Sequence, residues 1–253
     1  HAKPPNANVP DLGLNLVEIL IVLAATIVGG VIRGFTGFGA ALAMAPVISL
    51  LVGPREAVPA IIIVLMISTA QLVPGSFREV AWKKLWPLGL SSCVGVPIGV
   101  YALLVVDPEL MRRSIAAGVA VLSAIMLAGW RYEQTPSRFL ALSMGGFAGA
   151  LTGAASIGGP PVIAFLLAGP DNAATNRATL ILFFVFSQVI SVPFYAAGGV
   201  ITGRVMWLIA LMWPAQAAGL WIGARYFPMA SETAYRRVSL SVLLAIGIAT
   251  MVI

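Results

Sequence analysis

The sequence predicts an all-α, polytopic membrane protein made of two inverted repeats, each a broken or re-entrant helix pair followed by three transmembrane helices. Three observations lead there. The 253 residues are 60% hydrophobic and only 9% charged, whereas roughly a quarter of the residues of a soluble domain are charged. The apolar residues come in continuous runs, not in the short alternating segments of a β-barrel. The runs also recur in the same order of lengths in both halves. At roughly 20 apolar residues per crossing, the chain has room for about eight to ten passages and none for a soluble catalytic domain.

The first repeat is expected over residues 12–130. Its opening run, 12–32, is long enough to cross and ends at a glycine-rich segment, 34–39. The next, 40–52, stops at Gly53 after about a dozen residues, too few to cross comfortably at about 1.5 Å per residue. Runs 57–73 and 85–106 follow, the latter with Gly95 and Gly99 at the four-residue spacing that lets helix backbones approach closely. Run 114–130 comes after the pair Arg112–Arg113, and a charged connector, 131–138, closes the half. The second repeat, 139–253, has the same plan in runs 139–155, 161–168, 178–197, 205–224 and 238–253.

Identities support a duplication. Gly30, Gly34, Pro46, Val47 and Ile48 match Gly145, Gly149, Pro161, Val162 and Ile163 at one offset. After a slip of one residue, Thr36, Gly37, Gly53 and Pro54 match Thr152, Gly153, Gly169 and Pro170. Gly95 and Gly99 match Gly219 and Gly223, and Arg112–Arg113 matches Arg236–Arg237. In each half the long-plus-short pair returns to its starting side, so three remaining crossings place the second half upside down. Basic residues collect at 78–84, 131–138, 177 and 225–237, which by the positive-inside rule makes that side cytoplasmic and puts both termini outside an inner (plasma) membrane.

Two segments carry the functional reading. Gly34-Phe35-Thr36-Gly37-Phe38-Gly39 and the run from Gly153 to Pro161 occupy equivalent places and interrupt apolar stretches with residues that end helices. Non-helical backbone at membrane depth is tolerated where it is buried in protein or lines a cavity. A short helix starting at each break aims free N–H groups and a positive dipole end into the membrane, and two such ends form an anion site near the midplane. The candidate binding residues are Thr36, Gly37, Phe38 and Gly39 in the first break and Ser156, Ile157, Gly158 and Gly159 in the second. Arg33 adds a charged planar donor if it faces the cavity; otherwise it snorkels or pairs with a carboxylate such as Glu18. Gln71 and Gln188 lie in matching helices, as ligands or as glue between helices.

These breaks, together with Pro46, the Ser156-Ile157-Gly158-Gly159-Pro160-Pro161 run, the GxxxG pairs and the arginine pairs, resemble the sulfite exporter TauE/SafE family, also called the toluene sulfonate uptake permease family. The resemblance covers nearly the whole chain beyond Leu14. It implies transport of a small sulfur-containing anion: sulfite, thiosulfate, sulfoacetate or an aryl sulfonate, exported by some members and imported by others.

Other classes fit less well. The +6 charge is scattered in ones and twos between apolar runs, so the partners are the lipid bilayer and a small anion, and no nucleic acid. The single cysteine, Cys93, is expected to pack as a small apolar residue, and it allows no disulfide or cysteine-cluster metal site. No metal or other cofactor is implied. The one histidine is terminal, so Ser156 has no base, and an intramembrane enzyme is disfavoured. The expected mechanism is alternating access by a secondary transporter, and the rivals are an anion-selective channel or an importer of another small anion.

Overall fold

A computed structural model of the protein describes residues 13–127 and 137–226. Among them the chain is helical throughout: α1 (Leu16–Thr36), α2 (Ala40–Val52), α3 (Pro54–Ser76), α4 (Trp82–Val105), α5 (Pro108–Leu127), α6 (Arg138–Ala155), α7 (Gly159–Leu167), α8 (Ala173–Ala197) and α9 (Gly203–Tyr226). The order long, short, long, long, long holds through α1–α5 and begins again at α6. Five helices are long and apolar enough to span a bilayer: Leu16–Thr36, Pro54–Glu79 (α3 with the 3-10 turn after it), Trp82–Val105, Ala173–Ala197 and Gly203–Arg225. Arg138 is the first residue of α6. The run expected at 238–253, most of the connector and the second arginine pair lie outside the described residues.

Local chemistry sets the ends. Asn15 caps α1: its side chain accepts from the Glu18 N–H at 3.0 Å while the Glu18 carboxylate accepts from the Asn15 N–H at 2.8 Å. Ser137 and Asn172 cap α6 and α8 by a single bond each, their side chains accepting from the N–H groups of Leu140 and Thr175. Pro54 starts α3, where its missing N–H leaves no gap.

Two glycine-built crossings hold the halves together. In α6, Gly145, Gly149 and Gly153 lie against Leu88, Ser92 and Val96 of α4, and Gly95 and Gly99 of α4 lie against the carbonyls of Gly146 and Ala150. Gly30 and Gly34 of α1 lie against Gln216 and Leu220 of α9, and Gly219 and Gly223 of α9 lie against the carbonyls of Ile27 and Val31. A methyl group at any of these positions would land on backbone of the facing helix. The pairing is reciprocal: the first helix of each half packs on the fourth helix of the other, and α3 packs on α8 at the centre.

Polar contacts mark the two ends of the bundle. At one, Lys84 pairs with Asp171 at 2.6 Å and the Ala81 N–H donates to Thr179 Oγ1 at 2.9 Å. At the other, Arg55 donates to the carbonyls of Leu103, Leu104 and Val106, and Arg204 pairs with Glu56 at 3.0 Å. The glycine contacts run in the same order along both members of each crossing. So α1 and α9 both start at the Arg55 end, while α4 and α6 both start at the Lys84 end. Cys93, expected to pack as a small apolar residue, is exposed on the outer face of α4. It follows Ser92, which faces the α6 crossing, so helical rotation turns it outward.

Candidate functional site

Both breaks are narrower than the glycine-rich stretches around them. α1 continues through Gly34 to Thr36, and only Gly37, Phe38 and Gly39 leave the helix, with Gly37 at φ 83° and Gly39 at φ 86°. These left-handed values require glycine. α6 continues through Gly153 to Ala155, and its left-handed residue is Ser156 at φ 63°, the one non-glycine residue with positive φ among those described. Ser156 therefore takes the place that Gly37 holds in the first half. The sequence identity had paired Gly37 with Gly153, one helical turn earlier.

Side chains stitch each break. Thr36 Oγ1 lies 2.7 Å from the carbonyls of both Ile32 and Phe38, and accepts from the Phe38 N–H at 3.2 Å. This hydroxyl closes the turn. Helix α8 secures the last turns of both α1 and α6, where carbonyls lack intrahelical donors. Arg177 donates to the Gly34 carbonyl at 2.7 Å and lies over Gly37, and Tyr195 donates to the Gly153 carbonyl at 2.8 Å. Gly158 has no room for a side chain, because a Cβ there would strike Thr152 Oγ1 and the Ala148 carbonyl.

The two breaks meet. Phe38 of the first packs on Gly159 of the second, and Gly39 and Gly159 border one small cavity. The cavity wall includes Gly39, Ala41 and Leu42 from the first break and helix α2, and Ser156, Ile157, Gly159 and Pro160 from the second. Arg33 from α1, Ile62 and Leu65 from α3, Thr152 from α6 and Phe184 and Gln188 from α8 complete it. Leu65 and Phe184 stand near the centres of 23- and 25-residue helices, so the cavity lies at mid-depth of the bundle. Its space for a water-sized sphere is about 10 Å³, about one water. An oxyanion enters only if the walls part.

Arg33 dominates this site electrostatically. It is 1% exposed and its guanidinium lies 5.0 Å from the centre of the Phe184 ring, a cation–π distance. One terminal nitrogen donates to Thr69 Oγ1, which lies 2.9 Å from Gln188 Oε1, while Nε has no partner. Glu18 belongs to the α1 cap at the far end of the helix, so neither the snorkelling nor the Glu18 pairing of Arg33 occurs. Among the described residues, no carboxylate pairs with Arg33. A buried charge with an unused donor is costly unless something supplies the missing acceptor.

Of the eleven residues expected at the site, the structure brings Arg33, Gly39, Ser156, Ile157, Gly159 and Gln188 to the cavity. Thr36, Gly37, Phe38 and Gly158 shape the breaks behind it. Gln71 is exposed on α3, and the residue of that helix that reaches Gln188 is Thr69. Sequence reading missed Thr69, Thr152, Phe184 and Tyr195, which look like ordinary helix-interior residues. Only the repeat offset hinted at one of them: Thr69 and Gln188 are separated by the same 119 residues as Gly37 and Ser156.

The sulfite exporter TauE/SafE family profile matches residues 21–250 of the chain. The chain belongs to the TauE/SafE family. A curated relative described as a probable sulfite/organosulfonate exporter TauE, from Cupriavidus necator, is 26% identical over 252 residues, covering 95% of each chain. No solved structure matches the chain. Family membership makes this TauE/SafE protein a multi-pass membrane transporter and not an enzyme, in keeping with the five span-length apolar helices among the described residues.

Proposed function

We propose that the chain exports sulfite or an organosulfonate across the inner membrane by alternating access, its halves acting as inverted repeats around the mid-depth cavity. The observation that carries this reading is the meeting of both chain breaks with one buried, partly unpartnered arginine in a single cavity. The family and the name of the Cupriavidus necator relative supply the sulfur chemistry. Arg33 is the counter-charge for the anion, its free Nε and remaining donors suiting an oxyanion. Ser156, the Gln188 amide and the N–H groups at Gly39–Leu42 and at Gly159 complete the cage. Pro160 and Pro161 leave the first turn of α7 poor in donors, so the α2 end is the stronger of the two.

Helix dipoles contribute less than a pair of N-termini alone suggests. Each break brings a helix C-terminus beside the following N-terminus, and the opposite poles largely cancel. The arginine therefore carries the attraction, and the backbone donors orient the ligand. A cavity with room for about one water also fits an occluded state better than an open pore.

The test is flux of labelled sulfite and methanesulfonate in vesicles reconstituted with the protein. Flux should saturate and each anion should compete with the other. Arg33→Gln should weaken binding about 30-fold, corresponding to about 2 kcal/mol, because it removes one partner of a buried charge-assisted contact. Flux that rises linearly with concentration at channel rates would favour the anion-channel reading. Unchanged affinity in Arg33→Gln would remove Arg33 from the site.

A further inference from the structure

From the charge balance of the cavity we infer that the site selects its substrate by valence. It takes a monoanion, bisulfite or a singly charged sulfonate, and rejects dianions such as sulfite itself, sulfate and sulfoacetate. The inference rests on the proposed function and deepens it.

The argument is electrostatic. Arg33 is the one formally charged group in the cavity wall; the other lining groups are neutral, polar or apolar. It is 1% exposed, so water does little to screen it. A monoanion seated on its guanidinium gives a neutral, desolvated pair, whereas a dianion leaves one uncompensated negative charge among Leu42, Ile62, Leu65, Ile157 and Phe184. The helix ends do not supply the missing positive charge, since each break contributes poles of both signs. The Phe184 face lies against the guanidinium and offers an apolar wall to a sulfonate's organic group.

Among the described charged groups on the surrounding elements, Arg177 is the one whose field reaches Arg33; it is partly exposed and outside the cavity wall, so water screens it and the wall itself carries one charge. Helices α2 and α7 contain no ionisable residue. On α3, Glu56 pairs with Arg204 of α9 at the far end of the bundle. On α8, Arg177 is partly exposed and donates to the end of α1, outside the cavity wall, and Tyr195 is a neutral phenol donating to the Gly153 carbonyl. Lys84 and Asp171 form a pair of their own at the end of the bundle. The only histidine of the chain is His1. The pH dependence of sulfite binding should therefore follow the substrate's own ionisation and no group of the cavity.

The experiment is isothermal titration of the purified chain with sulfite, methanesulfonate, sulfoacetate and sulfate across a pH series that spans the conversion of bisulfite to sulfite. Methanesulfonate is a monoanion throughout and should bind with one affinity at every pH. The apparent affinity for sulfite should fall in step with the bisulfite fraction. Sulfoacetate and sulfate should bind weaker than methanesulfonate by about tenfold or more. Arg33→Lys, which keeps the charge and loses the fork, should bind less tightly and retain this order. Two results would overturn the inference. Sulfite or sulfate binding that equals or exceeds methanesulfonate at high pH would bring Arg177 in as a second counter-charge. Methanesulfonate binding that falls alongside sulfite would show that a protein group titrates. Absence of binding by any of the four anions at every pH would instead remove the proposed function itself.

Discussion

Arg33 and Gln216 are two large buried residues with side-chain polar atoms that lack a partner, and the conflict is resolved differently in each. Arg33 has partial compensation from Thr69 and the Phe184 face, and its Nε has no partner. Gln216 sits at 0% exposure inside α9 with neither its amide nitrogen nor its oxygen hydrogen-bonded. It does not line the cavity. Leaving a buried amide unsatisfied costs about 1–3 kcal/mol, and an apolar residue of similar size removes that cost. Gln216→Leu should therefore raise the melting temperature of the purified protein; a lower melting temperature would mean that the amide has a partner in the folded state.

At the level of elements, the short helices and the glycine crossings have separate jobs. The breaks at Gly37–Gly39 and Ser156–Gly158 bring non-helical backbone into the core, and the crossings α1 on α9 and α4 on α6 hold the helices that end in those breaks. Gly99 and Gly223 occupy equivalent places, each with its Cα against backbone of the opposite half. Gly99→Val and Gly223→Val should cost similar stability, on the order of 1–3 kcal/mol or more, because both force two backbones apart. Thermal unfolding of the two variants checks this, and a large loss in one with none in the other would break the equivalence. In the sequence the duplication is carried by glycines, prolines and arginine pairs, the second arginine pair lying outside the described residues. The position of the second break was not legible there, since nothing in Gly153-Ala154-Ala155-Ser156 shows which residue turns left-handed. Packing decides it: Gly153 is held in the helix between Val96 and Val100 of α4 and by the Tyr195 phenol on its carbonyl.

For the whole molecule, orientation follows from charge. Arg78, Lys83, Lys84, Arg138, Arg177 and Arg225 lie toward the Lys84 end, and Arg55, Arg112, Arg113 and Arg204 toward the other. On the positive-inside rule, the orientation we propose has the Lys84 end in the cytoplasm. With Cys93 first changed to Ser, a single cysteine introduced as Glu79→Cys should react with an impermeant thiol reagent only from the cytoplasmic side. Asp107→Cys should react only from outside. The reverse labelling pattern would invert the proposed orientation and, with it, the side on which Arg177 meets water.

Composition and run lengths by themselves settled that this chain is a polytopic helical membrane protein, and the order of its described helices, although α5 starts at Pro108 and α8 at Ala173, well before the apolar runs expected at 114 and 178. Those properties are local: hydrocarbon demands continuous apolar helix, and glycine and proline act on their own backbone. The motif residues likewise sufficed to point to the TauE/SafE family. Which polar side chains face the cavity was decided only by the tertiary structure. Facing depends on helix rotation and on neighbours more than a hundred residues away, as when Thr69, not Gln71, meets Gln188. The same is true of Arg33. Its sequence position allowed an interface, an ion pair or a ligand role, and only the packing of α1 against α3 and α8 directs it inward, beside the second break.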